Sequence, residues 1–405
     1  MDDTKHVPLK REVEKVYGKK VVAYSDCLTL SKEISNRTGF QLNVNTLRRF
    51  FGLVKASYLP SLTTLDILSR FCGFKSFEQF ESFSLSPVEE DLNSPLLQYI
   101  DTLFQKASLT SANDPVWTGI VHETILFLEK YLPLLDAFQR SAAKSLVGQT
   151  IYFEQFVNID QLNGYYGNGL RHYLNEKKTS EAQVFAHALL TLRFFLTNER
   201  LGLEHHYHEM MCHSVNGQMH PLISARYFAA QLFFAQHQPA DVYRVMTAAR
   251  SFFKALVVAR ERRQAFPYFE LVMTDALILV RQPLEALYYL REARKKKGES
   301  VSLASDVQLP FLFTLYEAAA DVMIGEVDNA KRMFRKIKPQ DASFLTRRYN
   351  NILYLLVERN LLPAKAKSSL TQLDDLLQLT GFQKLAFLFS GENAVNKKEQ
   401  VKGFL

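Results

Sequence analysis

Apolar residues recur at the spacing of an α-helix through most of the chain. From residue 95 to about residue 390 they form segments of ~12 to 20 residues, such as SEAQVFAHALLTLRFFLTNER at 180–200, with short polar turns between them. Valine, isoleucine and threonine do not alternate with polar residues for long enough to form a half-buried strand. The pattern therefore predicts an all-α fold.

The N-terminal region has shorter periodic segments that glycines separate. The segment at 30–52, LSKEISNRTGFQLNVNTLRRFFG, stops at Gly39 and restarts at Asn43, a residue type that favours helix N-caps. Ser25 or Asp26 is the expected N-cap of the helix before this break. Five short helices are predicted here: KREVEKVYG at 10–18, SDCLTLSKEISNRTG at 25–39, NVNTLRRFFG at 43–52, SLTTLDILSRFCG at 61–73 and SFEQFESF at 76–83.

A composition change divides the chain near SLSPVEEDLNSP, residues 84–95, where prolines, serines and acidic residues interrupt the apolar periodicity. This change predicts two folded regions with a linker between them. The predicted ranges are 1–85 for the small helical domain, 86–95 for the linker, 96–391 for the larger helical domain and 392–405 for a polar tail.

The third predicted helix has one apolar face. Leu47 and Phe50 lie three residues apart and are expected to pack inward together with Ile34 and Leu42. Their expected core partners are Leu65, Leu68 and Phe71. The outer side of the helix then carries Asn43, Val44, Asn45, Arg48 and Arg49.

The five helices and the break at Gly39 resemble the DNA-binding domain of the Xre and lambda-repressor family, whose helix-turn-helix places its third helix in the major groove. The resemblance implies that the outer residues from Asn43 to Arg49 carry the contacts to double-stranded DNA, Asn43 among them. In particular, Asn45 and Arg48 read bases and the Val44 methyls meet a thymine methyl. The phosphate contacts that it implies are Arg49, Ser31, Lys32 and Lys55. Adjacent arginines are also typical of an ordinary solvated helix surface.

This chain departs from the family in two places. Ser35 stands where the family usually has alanine, and Phe40 and Gln41 lengthen the turn by two residues. The angle between the second and third helices is therefore less constrained by the sequence than the helices themselves.

The larger region repeats every 44 residues. Ala230, Val242, Met246 and Ala249 recur as Thr274, Ala286, Leu290 and Ala293, and again as Ala318, Ala330, Phe334 and Ile337. Small residues at matched positions are typical of closely packed helix pairs. The stretch LYEAAADVMIGEVDNAKRMFRKIKP resembles the tetratricopeptide repeat, which implies a right-handed superhelix of helical hairpins, although its usual period is ~34 residues.

Basic residues follow the same period. Arg250, Arg294 and Lys338 each come directly after a matched position, so stacked hairpins would align them in a stripe. Such a stripe indicates either solvated helix ends or a groove that binds an acidic ligand.

Composition narrows the class of protein. The chain carries 49 Lys and Arg against 42 Asp and Glu, a net charge of +7, and residues 1–85 carry 13 against 9. Three distant cysteines give no disulfide framework, which predicts a reducing compartment. No signal-like or membrane-spanning apolar run occurs, so a cytoplasmic protein without a membrane partner is expected.

One histidine-rich stretch invites a metal site. EHHYHEMMCH at 204–213 places His208 and Cys212 four residues apart, but no third distant ligand is identifiable, so a polar helix is expected rather than a metal centre. No nucleophile, base and orienting group come together in the sequence. Neither an enzyme nor a cofactor is therefore expected.

The order of the two domains resembles that of peptide-sensing bacterial transcription regulators. The resemblance implies a homodimer in which the helical repeat binds a peptide or protein ligand and the N-terminal domain binds DNA in a sequence-specific manner. The alternative is a non-enzymatic interaction scaffold whose helix-turn-helix fold no longer binds DNA.

Overall fold

A computed structural model describes residues 7–54, 60–77, 79–80, 95–106, 115–260, 266–296, 309–362 and 366–389. Within these ranges the regular secondary structure is helical and no strand occurs, which confirms the all-α prediction. The chain divides into two compact units, Met1–Ser94 and Pro95–Leu405. Residues 86–94 of the predicted linker and the predicted tail lie outside the described residues.

The first unit contains four helices with complete bounds. They are α1 Val7–Tyr17, α2 Tyr24–Thr38, α3 Val44–Phe50 and α4 Leu62–Phe71. Of the fifth predicted helix, Phe77, Gln79 and Phe80 are helical, and most of its other residues lie outside the described part of the chain.

The start of α2 differs from the prediction. Its N-cap is Ala23, because the carboxylate of Asp26 lies in the first turn and accepts hydrogen bonds from the backbone N–H of Ala23 at 2.9 Å and of Val22 at 3.1 Å. Neither Ser25 nor Asp26 is therefore the N-cap. The predicted end is confirmed, since Gly39 has a φ of 73° and its N–H donates to the Ser35 carbonyl.

The predicted inner face of α3 is confirmed. Leu47 is fully buried and Phe50 is 3% exposed. They belong to one apolar cluster with residues of α2, α4 and the turn: Ile34, Leu42, Leu65, Leu68 and Phe71. Burial of Leu47 and Phe50 leaves the opposite side of α3 in solvent.

The described part of the second unit is a succession of helices. These helices are α5 Pro95–Lys106, α6 Pro115–Leu128, α7 Leu132–Lys144, α8 Tyr165–Glu176, α9 Ser180–Leu196, α10 Arg200–Met211, α11 Pro221–Ala235, α12 Pro239–Arg260, α13 Tyr268–Leu279, α14 Pro283–Lys295, α15 Leu309–Ile324, α16 Val327–Phe334, α17 Arg347–Leu361 and α18 Ala366–Thr380. A π-helical segment spans Gly148–Gln155, and short 3₁₀ segments span Ile159–Gln161, Pro339–Asp341 and Gln383–Phe387. Across the described residues, no helix is both long and apolar enough to cross a membrane.

The 44-residue repeat corresponds to three consecutive helix pairs, α11 with α12, α13 with α14, and α15 with α16. The first helices of successive pairs also pack against each other. The matched positions are buried, apart from the partly buried Met246: Ala230, Val242, Ala249, Thr274, Ala286, Leu290, Ala293, Ala318, Ala330, Phe334 and Ile337. Helix α16 ends at Phe334, so Ile337 follows the helix rather than belonging to it.

We expect Ala286→Leu to destabilise the second unit by about 1–3 kcal/mol, because Ala286 is fully buried where α13 and α14 meet and a larger side chain overpacks that contact. Urea unfolding followed by circular dichroism measures the loss. Arg291→Leu places the same side chain at an exposed position of α14 and is the control. Equal stability of both variants would mean that close approach of these helices is not required.

Candidate nucleic-acid interface

The N-terminus of α3 is fixed by its own cap. The side-chain Oδ1 of Asn43 accepts a hydrogen bond from the backbone N–H of Asn45 at 2.8 Å, which confirms the predicted cap. Asn43 is exposed, but this acceptor is occupied within the helix. Its role is therefore to start α3 in the correct orientation.

Asn45 and Arg48 form a polar pair on the outer side of α3. Arg48 Nη1 donates to Asn45 Oδ1 at 3.0 Å. The Arg48 guanidinium also lies 5.3 Å from the centre of the Tyr24 ring, at the first residue of α2. The structure thus brings together the two predicted base-reading residues and a neighbouring aromatic ring.

Tyr24 was missed by the reasoning from sequence. Its side chain is 56% exposed. The sequence feature that could have identified Tyr24 is its position next to the predicted N-cap and outside the apolar spacing of α2. Only the packing of α2 against α3 places it beside Arg48.

The remaining predicted contacts on these helices lie in different environments. Arg49 and Lys32 are exposed, whereas Val44 is half-buried and packs against the apolar cluster of the first unit. Lys55 lies outside the described residues.

The expectation that Ser31 contacts a phosphate is wrong. Ser31 is 8% exposed, and its hydroxyl donates to the backbone carbonyl of Leu42 at 2.5 Å. This hydrogen bond ties the middle of α2 to the residue that precedes the N-cap of α3. Ser31 therefore holds the two helices together and does not face the surface.

The lengthened turn is held by local contacts. The backbone N–H of Phe40 donates to the Thr38 hydroxyl at 3.2 Å. The Phe40 ring is 45% exposed and lies 5.2 Å from the Arg70 guanidinium of α4. The two extra residues therefore form a defined path between α2 and α3.

The basic residues of the repeat do not form an open stripe. Arg250 Nε donates to Glu285 Oε1 at 2.9 Å, and its guanidinium covers the Tyr288 ring. Arg294 pairs in the same way with Glu317 of the following hairpin. In this structure both arginines make ion pairs between hairpins, and binding of an acidic ligand to them stays a prediction. Lys338 is exposed and precedes a 3₁₀ segment.

The histidine-rich stretch forms α10 and one buried contact. His206 Nδ1 lies 3.0 Å from Nδ1 of His187 on α9, and the His206 ring stacks on Phe194. His208 is exposed, and the Cys212 thiol donates to the His208 carbonyl. In the part of the chain that the structure describes, no group of three or more His, Cys, Asp or Glu side chains is arranged to hold a metal ion.

His187, which is buried, and His206, which is half-buried, both resist protonation. Burial, as the largest cause, lowers the pKa of His187 to about 4 and the pKa of His206 to about 3. Two Nδ1 atoms in hydrogen-bond contact also require that one of them lacks a proton. The pair is therefore neutral at neutral pH.

No protein-family model matches this chain, and no curated protein or solved structure is significantly similar to it. Its likeness to helix-turn-helix proteins is a resemblance of residue pattern. Function is therefore inferred from the chain's own residues and their contacts.

We expect the second unit to lose stability as the pH falls from about 6.5 towards 4. Both folded-state pKa values lie below the unfolded value of ~6.5, so the unfolded chain binds more protons in this window and the stabilisation present above it is lost. The urea midpoint, followed from about pH 8 to about pH 5, measures this slope.

The variant His206→Phe, which keeps the ring stacking on Phe194, should flatten that slope because one imidazole no longer titrates. His208→Gln changes an exposed histidine on the same helix and is the control with an unchanged slope. A wild-type slope in His206→Phe would show that this pair does not control the acid response.

Proposed function

We propose that the protein is a sequence-specific DNA-binding transcriptional regulator, in which α3 lies in the major groove and the second unit supplies dimerisation or ligand sensing. The observation that carries the proposal is the Asn45–Arg48 pair on the outer side of α3, away from the buried Leu47 and Phe50, in which Asn45 is exposed and Arg48 half-buried. Asparagine and arginine are the residues that read adenine and guanine edges in that groove.

The geometry of α2 and α3 supports this proposal. Two helices of a helix-turn-helix must be locked to each other so that the second can enter the groove as a rigid body. Here the Ser31–Leu42 hydrogen bond, the left-handed Gly39 and the Asn43 cap fix the connection at three successive points.

Contacts to Tyr24 and Asn45 restrict the side chain of Arg48 before any ligand arrives. Fewer rotamers are then lost on binding, which favours affinity. The exposed Arg49 and Lys32 are suited to phosphates, since flexible basic side chains at the rim position a protein on DNA without reading sequence.

One observation favours the rival function, an interaction scaffold. Val22, Tyr24 and Leu28, at the N-terminal end of α2, are 69%, 56% and 41% exposed. In helix-turn-helix proteins this end of the first helix approaches the phosphate backbone, where apolar side chains gain little. An exposed apolar surface of this kind is typical of a contact with another protein.

Binding to DNA distinguishes the two functions. The full chain is used to select duplexes from a random library, and fluorescence anisotropy then compares a selected duplex with a scrambled one at low and high salt. A regulator prefers the selected duplex and loses affinity steeply with salt, because phosphate contacts release counterions. Absence of binding at low salt would favour the scaffold.

We expect Arg48→Ala to cost about 1–3 kcal/mol in binding to the selected duplex and to relax preference at one base pair. Arg49→Ala, about 100° further around the helix, should weaken binding to selected and scrambled duplexes alike. Arg37→Ala removes the same charge from a residue that pairs with Glu33 and lies over Phe71, so it is the control.

Equal losses on both duplexes for Arg48→Ala and Arg49→Ala would mean that neither residue reads a base. Unchanged affinity in the double variant would place α3 outside the interface.

A further inference from the structure

The second unit contains a partly open cavity of about 210 Å³. Its walls come from α9 and from α11, α13 and α15, the first helices of the three hairpins, and from α17. The end of the π-helical segment and residues near the start of α17 complete it. Most lining side chains are apolar, as in small-molecule sites.

The acidic groups of the cavity already have partners. Asp275 accepts a hydrogen bond from the Tyr349 hydroxyl at 2.7 Å and another from Tyr316. Burial raises the pKa of Asp275 to about 6. Glu154 is paired with Lys177 and also accepts from the Tyr173 hydroxyl at 2.7 Å.

The basic group of the cavity differs from the acidic ones. The Nε of Arg226 is buried, and no described residue accepts a hydrogen bond from it. Burial lowers the pKa of Arg226 to about 10, so the guanidinium stays charged at neutral pH. A buried N–H of a cation that lacks an acceptor is destabilising, and an acceptor from outside the chain would satisfy it.

A second polar atom in the cavity also lacks a partner. Asn350 is 1% exposed, and its Nδ2 donates to the Thr346 hydroxyl at 2.9 Å. Its Oδ1 is buried without a donor among the described residues. The cavity thus offers one cationic donor and one neutral acceptor to a ligand.

Hydrogen bonds within the protein hold the walls of the cavity in place. The carboxylate of Asp160, from a distant 3₁₀ segment, accepts from the backbone N–H of Arg348 at 2.8 Å and of Tyr349 at 2.9 Å. This cap fixes the first turn of α17, which carries Tyr349 and Asn350. A site that is formed in advance loses little free energy to ordering when it binds.

We infer that this cavity binds a small amphipathic carboxylate, with the carboxylate at Arg226 and an apolar body between α11, α13 and α15. A cavity of about 150 Å³ admits benzene, so this one has room for a ligand larger than benzene. The inference concerns binding in the second unit alone and is independent of whether the first unit binds DNA.

The direct test uses three eight-carbon probes that differ in head group: octanoate, 1-octanol and octylammonium. Each is titrated into the full chain without DNA, and binding is followed by calorimetry and by the shift in melting temperature. Octanoate should bind tightest and raise the melting temperature most. Equal binding of octanoate and octanol, preference for octylammonium, or no binding of any probe would overturn the inference.

The variant Arg226→Leu tests the anchor. Octanoate affinity should fall about 10- to 100-fold, as expected for loss of a charge-assisted hydrogen bond, while octanol affinity is retained. The unliganded variant should unfold at the same or higher urea concentration, because a cation whose buried Nε lacks an acceptor has been removed.

The matched control is Arg244→Leu, which makes the same substitution at an exposed residue paired with Asp241. It should bind octanoate as the wild type does. Wild-type octanoate affinity in Arg226→Leu would show that the carboxylate does not lie at Arg226.

Discussion

Two helices approach closely only where their contact positions carry small side chains, and the second unit depends on this constraint. Ala230, Ala286, Ala318 and Ala330 are fully buried at positions that recur every 44 residues. Ala230 and Ala318 lie on first helices of the hairpins and Ala286 and Ala330 on second helices, and their small side chains allow neighbouring helices to approach closely. The first helices of successive hairpins also contact each other and line one cavity, and arginines on the second helices join neighbouring hairpins.

The arginines near the surface of the second unit and the arginine that lines its cavity have different partners. Arg250 and Arg294, near the surface, pair with glutamates of the next hairpin. Arg226 lines the cavity, and no described residue accepts a hydrogen bond from its Nε, although Asp275 lines the same cavity. Asp275 accepts hydrogen bonds from two tyrosine hydroxyls, so the acid has its hydrogen-bond partners and the Nε of the base does not. That asymmetry gives the cavity its preference for an anionic ligand.

In the first unit, one hydrogen bond links fold to proposed function. Ser31 donates to the Leu42 carbonyl and so joins α2 to the start of α3. The Asn43 cap and the buried Leu47 then fix the rotation of α3, which turns Asn45 and Arg48 outward. Val22 and Leu28 expose apolar side chains beside this surface. A DNA interface alone does not explain that exposure.

The sequence by itself determined the helical fold, the break at Gly39, the Asn43 cap and the inner face of α3, because these depend on local spacing and on residues at helix ends. Tertiary structure decided the roles of Ser31, Arg250 and Arg294, whose partners lie 11, 35 and 23 residues away. It also determined the cavity. The sequence of an apolar helix does not show which groups lie opposite an arginine or an aspartate on that helix. Periodicity records which side of a helix is buried, whereas the partner of each buried group depends on how separate helices pack.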